Sequence, residues 1–220
     1  MYLPNNVHAY FNDEVDHVLF AKLYRLIAIY NNNWDVALNA ISRGLHIAKN
    51  KEIKAELFIL LSEGFYHKAF YTEAIKAAKA GLALTCDKQK RAALCLAMAM
   101  PLLKRSFFKS AESLAKEGLS CIKDIYNPQI ASELYAALAW SKYQQSRYKE
   151  ACDIAIRALN TYSSSIFNHT IANLYMVEIC ANEKLGRIDT TKMIASAGLR
   201  LNVPLYFRKF FLMTLNKHRQ

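Results

Sequence analysis

The sequence predicts an all-α fold: a superhelical solenoid of about five antiparallel helix pairs, closed by a C-terminal capping helix. Three observations carry that expectation. A twelve-residue phrase recurs along the chain, and the small and apolar residues within it fall at helical spacing. Gly and Pro, which interrupt helices, number only 6 and 4 in 220 residues.

The phrase is plainest in residues 71–82, YTEAIKAAKAGL, and 108–119, FKSAESLAKEGL. Used as a ruler, it finds WDVALNAISRGL at 34–45, YKEACDIAIRAL at 148–159 and IDTTKMIASAGL at 188–199. The first residues, Trp34, Tyr71, Phe108, Tyr148 and Ile188, are 37, 37, 40 and 40 apart. Three places on come Ala37, Ala74, Ala111, Ala151 and Thr191; ten on come Gly44, Gly81, Gly118, Ala158 and Gly198; Leu follows each time. Self-similarity at a period of 20–50 residues marks a stacked-repeat architecture. Offsets 0, 3, 7, 10 and 11 share one face of a helix, so the phrase is the second helix of each unit. Glycine inside a helix costs about 1 kcal/mol against alanine. Its return in four of five copies points to a close helix approach.

A second apolar-patterned segment precedes each phrase, separated from it by a short polar turn. The units run 13–48, 52–85, 88–123, 128–162 and 168–201, with a final helix at 204–217, all within one domain of residues 1–220. Polar or breaker-containing links separate the units. Asn127 before Pro128 reads as an N-cap followed by proline at the first helical position, and Val203-Pro204 is expected to open the last helix the same way. Pro101 falls inside the first helix of the third unit, where a kink or break is expected.

Composition bounds the rest. Lys and Arg number 29 against 18 Asp and Glu, a formal net charge of +11. No run of five basic residues occurs, so the charge reads as spread over solvated helix faces rather than as a nucleic-acid patch. Five cysteines, Cys86, Cys95, Cys121, Cys152 and Cys180, form no C-x-x-C pair and sit mostly among apolar neighbours, as free thiols of a reducing compartment do. The N-terminus lacks the pattern of a signal peptide. The longest uncharged apolar stretch, 92–103, is too short to span a bilayer. A cytoplasmic protein is expected.

The repeated phrase resembles the second helix of tetratricopeptide-type repeats over about residues 18–201, in a divergent form. Trp34, Ala37, Ile41, Gly44 and Leu45 fit that pattern best. The other units carry Ala where the family prefers a bulky residue, and the first helices lack its Leu-Gly pair. The resemblance implies first helices lining a concave face and second helices packed outside.

Catalytic chemistry finds no support. The six histidines are scattered without metal-ligand spacing, and neither a phosphate-binding glycine loop nor a nucleophile elbow occurs. Glu63 and His67 make an i,i+4 pair, read as a surface helix pair. No catalytic residue, metal or cofactor is expected, and the protein is read as non-enzymatic.

Binding is the remaining class. Carrying the family's groove positions across gives Lys22, Leu26, Ile29 and Tyr30 in the first unit and Ile59, Glu63, Tyr66 and His67 in the second. Leu96, Met100 and Lys104 follow, then Ala136, Trp140, Tyr143 and Gln144, and finally Met176, Cys180 and Lys184. The partner contacts expected among these are Leu26, Ile29, Tyr30, Ile59, Tyr66, His67, Leu96, Met100, Lys104, Trp140, Tyr143, Gln144 and Met176. Such apolar and aromatic residues suit an extended or helical apolar segment of a partner protein. In the last helix, Phe207, Phe210 and Phe211 mark a surface that either packs on the final unit, dimerises or docks. The expected role is an adaptor or chaperone of bacterial type. The alternative is a sensor or regulatory module of a bacterial transcription system that acts through a partner; direct nucleic-acid binding comes third.

Overall fold

Polar links between repeats act as helix starts. The computed structural model describes residues 14–31 and 33–218, with eleven α-helices, one 3-10 turn and no strand among them. The helices are α1 (Glu14–Asn31), α2 (Asp35–Ile47), α3 (Lys51–His67), α4 (Tyr71–Leu82), α5 (Lys88–Lys104) and α6 (Phe108–Cys121). Then come α7 (Pro128–Gln144), α8 (Tyr148–Tyr162), α9 (Asn168–Lys184), α10 (Ile188–Leu199) and α11 (Leu205–Lys217). Asn50 caps α3 by accepting from Glu52 N and Ile53 N, Asp87 caps α5 through Lys90 N, and Asn127 caps α7 through Ile130 N. Pro128 takes the first helical position, as its missing N–H allows. The last helix differs from expectation: Pro204 is itself the cap residue and α11 begins at Leu205, without a side-chain cap.

The second helices start differently. Four of them open on the first residue of the phrase, Tyr71, Phe108, Tyr148 and Ile188. Two residues earlier, Ala69, Ser106, Ser146 and Gly186 all have φ between 60° and 73°. The left-handed residue is what stops each first helix and reverses the chain within three residues. Only the last unit uses the glycine that this conformation favours.

The helices form two compact units, divided between Arg105 and Ser106 in the turn that joins α5 to α6. In the first, α1 to α5 pack each against the next, and α3 also lies beside both α1 and α5. Its core holds Val18, Ala21, Ile41, Leu57 and Leu60, with Ala28, Trp34 and Ala37 at one end. In the second, α7, α8 and α9 enclose Ala151, Ala155, Leu174 and Val177, while α9, α10 and α11 enclose Ile179, Ile194, Phe207 and Phe211. The alanines three places into the phrase (Ala37, Ala74, Ala111 and Ala151) are fully buried, which explains their recurrence.

The repeated glycines mark close approach. A β-carbon on Gly81 would stand 2.8 Å from Leu94 and 2.9 Å from Phe58; on Gly198 it would stand 2.6 Å from the Phe211 ring. Gly44 is looser, at 3.2 Å from Leu57.

Pro101 does not break its helix: α5 runs on to Lys104 and the proline is buried. Proline withholds the N–H that would bond to the carbonyl four residues back, here Ala97. The Ser62 hydroxyl of α3 donates to Ala74 O at 2.8 Å and has Ala97 O as a second, longer acceptor at 3.4 Å. A neighbouring helix thus places a hydroxyl beside the carbonyl that the proline leaves without its usual donor.

Candidate partner-binding faces

In the first unit the three first helices are tied by ion pairs. Lys22 of α1 meets Glu56 of α3 at 2.5 Å, and Arg25 grips Glu63 with two bonds of 2.5 and 2.8 Å. Glu52 of α3 takes Lys90 of α5 at 3.0 Å and the Thr85 hydroxyl at 2.6 Å. Thr85 and Lys90 together hold the Glu52 carboxyl below its ordinary range. These pairs leave an aliphatic stripe on α1: Val15, Leu19, Leu23 and Leu26, spaced four, four and three apart, are each 42–58% exposed.

Glu63 is engaged chiefly by Arg25, and His67 Nε2 lies 4.0 Å from it. The His67 ring stacks on the buried Trp34 at 4.4 Å between centroids. Desolvation lowers the basicity of His67, with Glu63 opposing it. Tyr66 packs edge-on to His67 and beside Tyr71, half-buried. Ile59, Leu96 and Met100 are also partly buried, and Lys104 is exposed. Leu26 belongs to the exposed stripe, whereas the side chains of Ile29 and Tyr30 lie outside the described residues.

In the second unit α7 and α9 stand side by side. Trp140 is partly exposed, and its indole N–H donates to Asn173 Oδ1 at 3.0 Å. It sits edge-on to Tyr143 at 5.6 Å, and Tyr143 lies 5.5 Å from Tyr148. Burial, Cys180, Tyr148 and Glu183 raise the Tyr143 hydroxyl above the usual phenol range. Gln144 is exposed, while Met176 is half-buried against the α9–α10–α11 core. On α11, Phe207 and Phe211 are buried in that core and Phe210 packs partly against it, so the exposed face of this helix is Leu205, Tyr206, Leu212 and Met213 instead.

A second polar cluster joins α6, α7 and α8. Glu112, buried on α6, accepts from Lys142 at 2.6 Å, Lys116 at 2.7 Å and Gln145 at 2.9 Å. Lys142 is buried as well and reaches Glu150 at 3.4 Å, while Arg147 pairs with Glu150 at 2.5 Å. Burial alone would push the Glu112 carboxyl up, but these hydrogen bonds bring it down to about 2. Among the described residues no three His, Cys, Asp or Glu side chains gather as metal ligands, and no helix is long and apolar enough to cross a membrane.

Solved structures match this arrangement of helices. Aspartyl phosphate phosphatase F from Bacillus subtilis superposes with a TM-score of 0.74 over 91% of this chain, at 17% identity. A Rap protein complexed with Competence and Sporulation Factor gives 0.72 over 92%, at 16% identity. TTC0263, a thermophilic tetratricopeptide (TPR) protein of Thermus thermophilus, gives 0.71 over 93% of this chain and 100% of its own, at 15% identity. The fold is that of a tetratricopeptide-type repeat protein. The chain spans only 55% and 57% of the first two structures. No protein-family model matches the sequence, and no curated protein matches it.

The tetratricopeptide-type scaffold also carries groups that the sequence pattern did not single out. Val15, Leu19 and Leu23 extend the exposed row of Leu26, and their i,i+4 spacing was a signal available in the sequence. Asn173 gave none, because an amide's role depends on which side chain faces it across two helices. The Glu112–Lys142 pair was equally hidden, its members being 30 residues apart.

Proposed function

We propose that this protein binds a segment of a partner protein on the faces of its first helices, as an adaptor or chaperone. The contacts are Leu26, Ile59, Tyr66, His67, Leu96, Met100 and Lys104 in the first unit, joined by Ile29 and Tyr30, and Trp140, Tyr143, Gln144 and Met176 in the second. The single-domain organisation read from the sequence is part of this proposal. One observation supports it above the others. Trp140 is partly exposed yet locked, its N–H held by Asn173 and its ring braced by Tyr143. A preorganised aromatic corner loses little side-chain entropy on binding, and Trp and Tyr are the residues that most often dominate interface energies.

The test is capture from the native host with the tagged full chain, comparing wild type with Trp140→Ala/Tyr143→Ala. A single stoichiometric protein that the double variant loses, with its helical content intact, supports the reading. Unchanged capture by the folded variant removes this face from it, and recovery of nucleic acid alone, released by moderate salt, replaces it with a nucleic-acid role.

The likeness to a Rap protein solved with a bound factor favours a second reading. Here the chain is a sensor or regulatory module whose bound factor alters its hold on a partner. The two readings separate on whether the captured species is one ligand or a ligand that releases another protein.

A further inference from the structure

Glu178 stands on α9 in a place built for an apolar side chain. Ten residues before each phrase the chain carries Tyr24, Leu61, Met98, Leu138 and Glu178. Met98 and Leu138 are buried, and Glu178 is buried as deeply, at 7% exposure. A carboxylate in such a place needs a cation or hydrogen-bond donors to offset its lost hydration. Glu178 has neither among the described residues.

The titratable groups around it bring no positive charge to its carboxyl. From α8 comes Cys152, whose thiol lies 3.9 Å from the Glu178 carbonyl oxygen and is itself pushed up to about 11 by burial and by Glu178. From one turn back on α9 comes Tyr175, raised by burial and then by Glu178. Both stay neutral over the range in which a carboxyl titrates. Arg187, in the turn before α10, acts on Cys152; no cation from α7, α10 or α11 offsets Glu178 among the described residues.

We propose that Glu178 makes the seating of α9 on α8 proton-dependent: the neutral acid packs as Met98 and Leu138 do at the matching places, and its ionisation loosens the fifth helix pair. Burial raises the carboxyl to about 7. The folded state therefore holds this proton more tightly than the unfolded chain, where a glutamate titrates near 4.3. The stabilisation this gives is full below that lower value and declines as the pH rises, while the packing itself loosens only near 7, where the folded carboxyl ionises. The loss is complete once the pH has passed about 7. This device belongs to the helix stack and holds whether or not α9 contacts a partner.

The test is thermal unfolding of the full chain between pH 5 and 8.5, wild type against Glu178→Gln, whose amide is always neutral. The expected result is a melting temperature that falls in wild type relative to the variant by about 5 °C or more across that range. Hydrogen exchange, corrected for intrinsic rates, is expected to show protection lost over α8–α10 in wild type and kept in the variant. Parallel melting profiles overturn the proposal. Should Glu178→Gln not fold, the carboxyl carbon of Glu178 in wild type is followed by NMR: a midpoint near 7 supports the proposal, and one below 5 overturns it.

Discussion

Phe211 of α11 lies flat against Gly198 of α10, so near that a β-carbon on the glycine would stand 2.6 Å from the ring. The ring is fully buried and has no room to retreat. Gly198→Ala is therefore expected to cost roughly 1–3 kcal/mol by overpacking. Gly44→Ala, where the nearest atoms are 3.2 Å away on a flexible leucine, should cost less. Urea unfolding of the two variants gives the comparison.

The four left-handed turn residues predict opposite signs for similar changes. Gly186→Ala puts a β-carbon into φ 73° and is expected to lose about 1 kcal/mol. Ala69→Gly relieves the same strain at φ 60°, and should gain a few tenths of a kcal/mol after the added unfolded-chain entropy is counted. Equilibrium denaturation at one pH checks both.

Glu112 predicts the acid limb of the stability curve. Its folded carboxyl sits at about 2, below the value near 4.3 of an unfolded chain. Its contribution is thus fully present above pH 4.3 and is lost as the pH falls towards 2. Linkage puts the loss at about 3 kcal/mol as an upper bound. Glu112→Gln should flatten that part of the profile relative to wild type, a change that melting curves from pH 2 to 5 will reveal.

Thr191 fills the place where the other four units have alanine, and its buried hydroxyl has no hydrogen-bond partner among the described residues. Thr191→Val keeps the shape and removes the unsatisfied oxygen. An increase of about 1 kcal/mol in unfolding free energy is expected; a decrease would mean that the hydroxyl is satisfied by water.

What the sequence made legible was whatever repeats. The phrase located α4, α6, α8 and α10 to the residue at their starts, because stacking asks for a buried small residue at the same places, met by alanine or glycine in nearly every copy. Two kinds of feature escaped. Contacts between helices 30 or more residues apart, such as Arg25 with Glu63 and Glu112 with Lys142, have no local pattern. Deviations within the pattern were visible as letters but not as consequences. Thr191 and Glu178 break the rule of their positions, and only burial shows that one is an orphaned hydroxyl and the other an acid set among apolar neighbours. On α11 the hydrophobic run did not say which aromatic faced inward. Packing against α10 chose Phe207 and Phe211.

Pro101 remains the residue with the most to say about ancestry. A hydroxyl from another helix stands beside it: Ser62 Oγ lies 3.4 Å from the carbonyl of Ala97 that the proline leaves without its usual donor. The order in which two such substitutions are acquired then matters. A serine at 62 keeps its bond to Ala74 O whatever stands at 101, while a proline arriving first leaves the Ala97 carbonyl without that hydroxyl beside it. Ser62→Ala is expected to cost more with Pro101 in place than beside Pro101→Ala, by about 0.5–1 kcal/mol in a double-mutant cycle.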